Sequence, residues 1–509
     1  MNLRPYQKNA FDSINKGFVD FRKQLAVLPT GGGKTILFAH LAAHEKTHNG
    51  QRTLILAHRE ELIDQAIDKI QAATGIRAGK EKAEFQGDRS AKVVVASVQS
   101  MMSDKRLGSW APDHFGLVVC DEAHHSISKS WQKVLNHFDQ HAKILGVTAT
   151  PDRGDKKNLG QYFENIAAEV HLFDLINDGY LAPIALKAIP LDIDLSGVGS
   201  KAGDFDKNDL SDALEPWLEQ IATEMLIHAP MRKILVFLPL IKTSQKFAGI
   251  CADLGLRSAH VDGYSKERKE ILERYENDDF DVLSNAMLLT EGYDCPSVDC
   301  VVVLRPTRSR PLYSQMIGRG TRTAPRKENL LVLDFLWHHS RHQLASPAHL
   351  IAKSDEEAKM MVELSQKKGG QVEQDLEELA TEATHEREDA LRKQLDRLKG
   401  RKAKHISADQ FAIQHDSLAV AEYEPVMGWE REGITAPQKR VLNQHKLDLD
   451  TVRGKGHASQ IIGIIKGEER NTPASPKQRS ALARGHFQGW ENATVADAKA
   501  FFRRRYGRK

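Results

Sequence analysis

Cysteine is scarce. Among 509 residues only Cys120, Cys251, Cys295 and Cys300 carry a thiol, and no two stand in a CxxC pair. A disulfide framework and a zinc site are therefore not expected, and a reducing cytoplasm fits. Long hydrophobic runs are missing too. Nothing reaches the about 18 consecutive apolar residues of a membrane span, so no membrane partner is expected. The opening Met1-Asn2-Leu3-Arg4-Pro5-Tyr6-Gln7 has no apolar stretch of the signal-peptide kind. Net charge is small, +3 over the chain. A hydrophobic fraction of 40% and a charged fraction of 28% exclude a collagenous or fully disordered chain. At about 150 residues per domain, about three units are expected.

The charge that is present is unevenly placed. Thr435 to Lys509 hold 16 Lys+Arg against 6 Asp+Glu, a net of +10, which leaves −7 for the rest. A basic tail on a nearly neutral body points to a polyanion, although a solvated helical surface reads the same way. Residues 355–389 carry 12 acidic and 4 basic side chains, and 390–405 carry 7 basic and 1 acidic. With Leu391, Leu395 and Leu398 on one stripe, 346–429 reads as a charged helical hairpin or coiled-coil linker.

Before that region, short apolar runs alternate with amphipathic stretches. Gln24–Leu28, Thr53–Ala57, Val93–Ala96, Leu117–Cys120 and Ile144–Val147 read as buried strands, and Ile36–Glu45 and Glu60–Ala72 as helices. The pattern returns at Ile234–Leu238, Asp281–Leu283, Cys300–Leu304 and Leu330–Phe335. The expected fold is α/β: one parallel-sheet domain over 1–185, then a connection and a second over 186–345. A basic helical module is expected over 430–509. It contains a faint repeat at an offset of 40 residues: Gln438 with Gln478, Leu442 with Leu482, Leu447 with Phe487, Ala458 with Ala498, Ile462 with Phe502.

Chemistry enters at the first strand. It runs into Pro29-Thr30-Gly31-Gly32-Gly33-Lys34-Thr35 and then a helix. Glycines let the backbone wrap an anion, and the helix start adds its positive end. Lys34 can reach β- and γ-phosphates, and the Thr35 hydroxyl can hold Mg²⁺. Leu28 stands where the strict phosphate-loop pattern has glycine, so a mechanical search misses it. The strand 117–120 delivers Asp121-Glu122-Ala123-His124. Asp121 is placed for the metal, and Glu122 to orient and deprotonate an attacking water.

Together these strings resemble the superfamily 2 helicases, motif by motif and in order, over about residues 1–340. Arg4-Pro5-Tyr6-Gln7 is similar to the adenine-reading Q motif, PTGGGKT to motif I and DEAH to motif II. Motif Ia is echoed in Leu56–Leu62, Ib in Ser97–Met101, III in Thr148-Ala149-Thr150-Pro151, IV in Leu235–Phe237 with Thr243-Ser244, V in Thr290–Asp294 and VI in Gln315–Arg322. Gly179-Tyr180-Leu181, Leu304–Thr307 and Leu312-Tyr313 resemble bacterial RadD-type and phage-encoded DNA helicases. RadD-type proteins end in a cysteine-rich zinc module that this chain lacks.

The resemblance implies two RecA-like lobes with ATP and Mg²⁺ between them. Arg4 and Gln7 would meet the adenine, and Thr30 to Thr35 the phosphates. Arg319 and Arg322, beside Gln315, would neutralise the transferring phosphate, with Gly292 and Asp294 near the ribose and metal. His124 would hydrogen-bond across to the second lobe, to Gln315. Thr148 and Thr150 would couple the cleft to a nucleic-acid groove lined by Arg59, Gln99, Ser100, Thr243 and Thr290. The implied activity is an ATP-dependent DNA helicase or translocase on single-stranded or branched DNA, in repair, recombination or phage replication. A motor subunit of a restriction complex, an RNA helicase and a scaffold with weak ATPase are the alternatives. The C-terminal region would bind nucleic acid or dock a protein.

Overall fold

The computed structural model describes residues 2–45, 51–57, 61–81, 88–126, 128–149, 159–189, 191, 193, 195–201, 204–290, 293–335, 345–352, 355–368, 373–386, 406–408, 411–412, 415, 417, 420, 423, 425, 427–484 and 487–506. Two compact units divide the chain, 1–386 and 387–509.

The first unit holds two seven-stranded sheets. In one, β1 (Lys23–Val27), β2 (Thr53–Ala57), β3 (Gly79–Glu81), β4 (Val93–Ser97), β5 (Leu117–Asp121), β6 (Lys143–Thr148) and β7 (Asn165–Glu169) are ordered β3-β4-β2-β5-β6-β1-β7. All its pairings are parallel. Helices α1 (Pro5–Gly17), α2 (Lys34–His44) and α3 (Glu61–Thr74) are among its covers. The central strands β2, β4 and β5 are mostly apolar because both faces are buried, whereas the edge strands β3 and β7 carry polar residues and are only partly buried. Leu25 and Val27 pack on one face with Trp110, Trp131 and Phe138. Ala26 and Leu28, pointing the other way, pack with Ile14, Phe38 and Leu41.

The second sheet contains β8 (Ile184–Ala188), β11 (Ile234–Phe237), β12 (Ser258–Val261), β13 (Val282–Asn285), β14 (Cys300–Val303), β15 (Leu330–Asp334) and β16 (Gln374–Asp375). Its order is β12-β13-β11-β14-β15-β8-β16, and β9 (Ser200–Lys201) and β10 (Asp204–Phe205) form a small hairpin outside it. Only β16 runs antiparallel to its neighbour. The tandem pair of parallel-sheet domains is thus present.

Three boundaries differ from expectation. The chain enters the second lobe before residue 185, because β8 lies in register against β15, Ile184 opposite Leu330. Residues 346–386 are not a linker. Ala358, Met361 and Leu364 of helix α4 (Asp355–Lys367), with Leu376, Leu379 and Ala383, complete the second lobe's core. Spacing of three or four residues buries that stripe, while Glu363, Glu373, Asp375, Glu378 and Glu386 are exposed. The leucine stripe at 391–398 lies outside the described residues. The C-terminal module begins earlier than 430, since Ala408, Phe411, Ala412 and Val420 share a core with Leu442, Leu447 and Ile461.

All four cysteines are buried free thiols. Among the described residues, no helix is long and apolar enough to cross a membrane.

Gly146, in the middle of β6, gives a direct test of this packing. A Cβ there would stand 2.4 Å from Phe163 Cζ and 2.9 Å from Ala123 Cβ. Gly146→Ala is expected to destabilise the protein by about 1–3 kcal/mol, read as a lower denaturant midpoint. An unchanged midpoint would contradict the close approach.

Candidate active site

Parallel strands end on the same edge, and that edge collects the chemistry. Val27 pairs with Thr148, and Asp121 with Val147, so the loop after β1, the acidic turn after β5 and the end of β6 lie side by side. Gly31 and Gly33 adopt φ of 84° and 74°, which L side chains rarely reach. At Gly33 a Cβ would also stand 2.3 Å from Gln7 Nε2. Lys34 and Thr35 open α2 directly behind this turn.

Lys34 Nζ donates to Glu122 Oε1 at 2.9 Å, with only 13% and 11% of the two side chains exposed. Burial alone would raise the Glu122 carboxyl. The Lys34 ammonium, with help from His124 and His125, instead holds it down at about 2. Glu122 itself sits in the left-handed region, φ 53° and ψ 56°, and its amide donates to Asp121 Oδ1 at 3.0 Å. Strain of this kind persists where surrounding contacts over-determine the backbone. Glu122 Oε2 is buried with no hydrogen-bond partner among the described residues, and so is Thr30 Oγ1. Two oxygens without hydrogen bonds, beside a glycine cradle and an ammonium, suit a polar ligand. Asp121 and Thr35 offer the hard oxygen donors a Mg²⁺ ion takes alongside water and phosphate.

His124 Nδ1 lies 3.4 Å from Thr148 Oγ1 and 3.5 Å from Glu122 Oε2, so this nitrogen serves its own lobe. Gln7 is equally committed. Its amide oxygen accepts from the Arg4 N–H at 2.9 Å, and its nitrogen donates to Gly32 O and Gly33 O at 3.2 and 3.4 Å. Here it braces the phosphate loop rather than presenting a free edge to a base. Sequence reasoning passed over Tyr6 and Tyr180. Tyr6 Oη donates to Gly32 O at 3.0 Å, its ring lies 5.0 Å from that of Tyr180, and the Arg4 guanidinium lies 5.2 Å from Tyr180. Both tyrosines stand inside strings that carried the resemblance, which was the available signal.

The second lobe meets this edge through helix α5 (Arg310–Ile317) and the turn that follows. A Cβ on Gly318 would stand 2.4 Å from Thr30 Cβ, and one on Gly31 would stand 3.1 Å from Thr321 Oγ1 and 3.8 Å from Arg322 Cγ. The Arg322 guanidinium pairs with Asp294, and Lys69 of α3 reaches the same carboxylate at 3.5 Å. Burial first, then Arg322 and Arg319, pull the Lys69 ammonium's pKa down, against Asp121. Lys69 carried no sequence signal; only the docking of α3 brings it here. Arg319 Nη1 donates to Tyr293 O at 2.8 Å and its Nε to Gln315 O at 3.4 Å, while Gln315 itself is buried.

The expected nucleic-acid contacts divide. Gln99 is exposed, and Ser100 sits in a short turn capped by Ser97 Oγ. Thr243 and Thr290 require correction as phosphate contacts. Both are buried, and their hydroxyls bond inside the second lobe, Thr243 with Ser211 and Thr290 with Met287 O at 2.7 Å. They fall on inward faces that the motif spacing could not show. Arg59, Thr150 and Gly292 lie outside the described residues.

Comparison with known proteins agrees with this geometry. Residues 1–153 match the family model of the type III restriction enzyme res subunit, and 217–324 match the helicase conserved C-terminal domain. The chain is 30% identical over 375 residues to "Putative ATP-dependent helicase IRC3" of Saccharomyces cerevisiae, covering 70% of this chain and 54% of that one. To its namesake in Schizosaccharomyces pombe it is 32% identical over 352 residues, covering 66% and 57%. The chain thus spans a little over half the length of these relatives. Among solved structures, the ATP-dependent type ISP restriction-modification enzyme LlaBIII bound to DNA shares the fold, with a TM-score of 0.54, 14% identity, and coverage of 96% of this chain and 35% of that one.

The Lys34–Glu122 pair makes a pH-dependent prediction. Lys34→Met leaves a buried carboxylate without its ammonium, which costs about 3–5 kcal/mol near neutral pH. Because Glu122 is depressed from 4.5 to about 2, the pair's contribution is present above 4.5 and is lost as pH falls toward 2. The wild-type minus Lys34→Met difference in melting temperature should be widest near neutrality and narrow through that window. A difference independent of pH would contradict the pair.

Proposed function

For this chain, which belongs to the superfamily 2 helicases, we propose an ATP hydrolase that couples turnover to movement along DNA. The observation that carries the reading is the buried Lys34–Glu122 pair at 2.9 Å, with Arg322 of the second lobe beside the phosphate loop. Lys34 and the loop amides hold the phosphates. When Lys34 turns to them, Glu122 loses its main stabilising charge and its proton affinity rises, which suits it to take a proton from the attacking water. Thr35 and Asp121 would hold Mg²⁺, which would supply positive charge to the phosphate oxygens. Arg322 leaves Asp294 to meet the charge that develops on the transferring group, and Arg319 supports it from the same turn. Arg4, Tyr6 and Tyr180 offer a cationic and aromatic surface to the base. Gln99 and Ser100 line the face on which a strand lies, and backbone contacts of this sort give little sequence preference.

The restriction-enzyme model over 1–153 and the fold shared with LlaBIII favour DNA over RNA, and they support a second reading, the motor of a restriction or defence complex. That reading requires a partner to cut.

Glu122→Gln is expected to keep nucleotide binding and lose about 10²–10⁴-fold in turnover, measured as phosphate release against binding of a fluorescent ATP analogue. Near-normal turnover would remove Glu122 from the role of base. The substrate is tested by phosphate release with single-stranded DNA, forked DNA and RNA offered side by side. DNA should stimulate most; stimulation by RNA alone would replace the DNA reading.

A further inference from the structure

The second unit contains one small fold twice. Helices α6 (Ala436–Gln444) and α7 (Lys455–Asn471) form the first copy, α8 (Pro476–Arg484) and α9 (Val495–Tyr506) the second. The correspondence holds bond by bond at a constant offset of 40 residues. Thr435 N donates to Gln438 Oε1 at 3.0 Å and Gln438 N returns to Thr435 Oγ1; Ser475 N donates to Gln478 Oε1 at 2.8 Å and Gln478 N returns to Ser475 Oγ. Leu447 N donates to Leu442 O, and Phe487 N to Leu482 O, both at 3.0 Å. Ala458 N bonds Gly454 O and Ala498 N bonds Thr494 O; Lys455 N bonds Glu432 O and Val495 N bonds Thr472 O. Leu442 and Leu482 are fully buried, as are Ala458 and Ala498. A repeated cap, turn and core contact at one period is duplication of a structural unit.

Charge is duplicated with it. Residues 436–447 hold Lys439, Arg440 and Lys446 and no carboxylate; 476–487 hold Lys477, Arg479 and Arg484 and no carboxylate. The acids of each copy come later, at Asp448, Asp450, Glu468 and Glu469, and at Glu491 and Asp497. Five of the six cations are exposed, Arg479 being half-buried with a bond to Glu491 O. None of the six forms an ion pair among the described residues. Cations without ion pairs in the same cap-and-turn stretch of both copies, with Lys439 and Arg479 at equivalent positions and the other four at different ones, suit a polymer that offers anions at regular intervals, and a nucleic-acid backbone is such a polymer.

We propose that the two copies form a tandem nucleic-acid clamp in which each capped first helix and its turn holds one stretch of phosphate backbone, without reading bases. The clamp is a binding surface separate from the ATP site, so it is tested without nucleotide. Full-length protein is titrated against labelled duplex DNA, single-stranded DNA and RNA of one mixed sequence across a potassium chloride series. The variants are Lys439→Glu/Arg440→Glu, Lys477→Glu/Arg484→Glu, the fourfold combination, and the glutamine versions of each, with melting temperatures to verify folding. Each pair should weaken binding by a similar factor, about tenfold or more at low salt. In the fourfold glutamine variant the slope of log affinity against log salt should fall by about three to four, one per lost phosphate contact. The three ligands identify which backbone the clamp prefers. Unchanged affinity and slope in the folded fourfold variant would overturn the proposal, as would an effect confined to one copy. Neither result bears on phosphate release by the motor, so the two readings fail separately.

Discussion

A buried ammonium and carboxylate cannot be left apart, and this constraint organises the edge of the first sheet that carries the glycine loop. Lys34 comes from the first turn of α2 and Glu122 from the residue after β5, elements far apart in sequence that parallel pairing brings to one edge. The ion pair requires Glu122 to turn off its strand in a left-handed conformation, and it requires the glycine loop to seat Lys34 beside it. Gln7 then ties α1 to that loop through the two carbonyls that the tight turn exposes. The cost of separating the charges is what makes these pieces a unit. It also makes the pair responsive, since whatever draws the ammonium away changes the electrostatics of the carboxylate.

The second lobe repeats the logic with partly exposed groups. Asp294 receives Arg322 from its own lobe and Lys69 from the other. One carboxylate bridging two cations across a cleft is screened by water, so it gives a weak hold that a ligand can exchange. Packing at Thr30 against Gly318, and at Gly31 against Thr321, leaves no room for added side chains.

The helical unit shows a different economy. The two copies differ in core size: Leu442, Ala458 and Ile461 of the first pack with Phe411, Val420, Leu447 and Ile465, whereas the second has Leu482 and Ala498 with Ala474 and Ala493. Reciprocal caps at Thr435–Gln438 and Ser475–Gln478 close the helix starts in both. The acid-free cationic stretches lie beside those caps in both.

Periodicity and local turn chemistry did not determine β3, β7, β8, β12 and β16, which carry polar residues or lie outside the apolar runs, but were enough to determine the apolar strands at the centre of each sheet, the phosphate loop, the acidic turn and the 40-residue repeat. Each of these depends on neighbours in sequence: apolar runs that need burial on both faces, glycines that need positive φ, and a cap that needs Gln three residues on. Position across the fold was decided only by tertiary structure. The stripe of Ala358, Met361 and Leu364 was hidden under a count of acidic residues, because net charge does not say which face a side chain takes. Thr243 and Thr290 matched motifs by spacing, yet their hydroxyls turn inward, and Lys69 reached the cleft with no motif at all. A one-dimensional pattern fixes which residues can share a face; which partner that face meets depends on how the elements dock, and docking is a sum of contacts between residues distant in the chain.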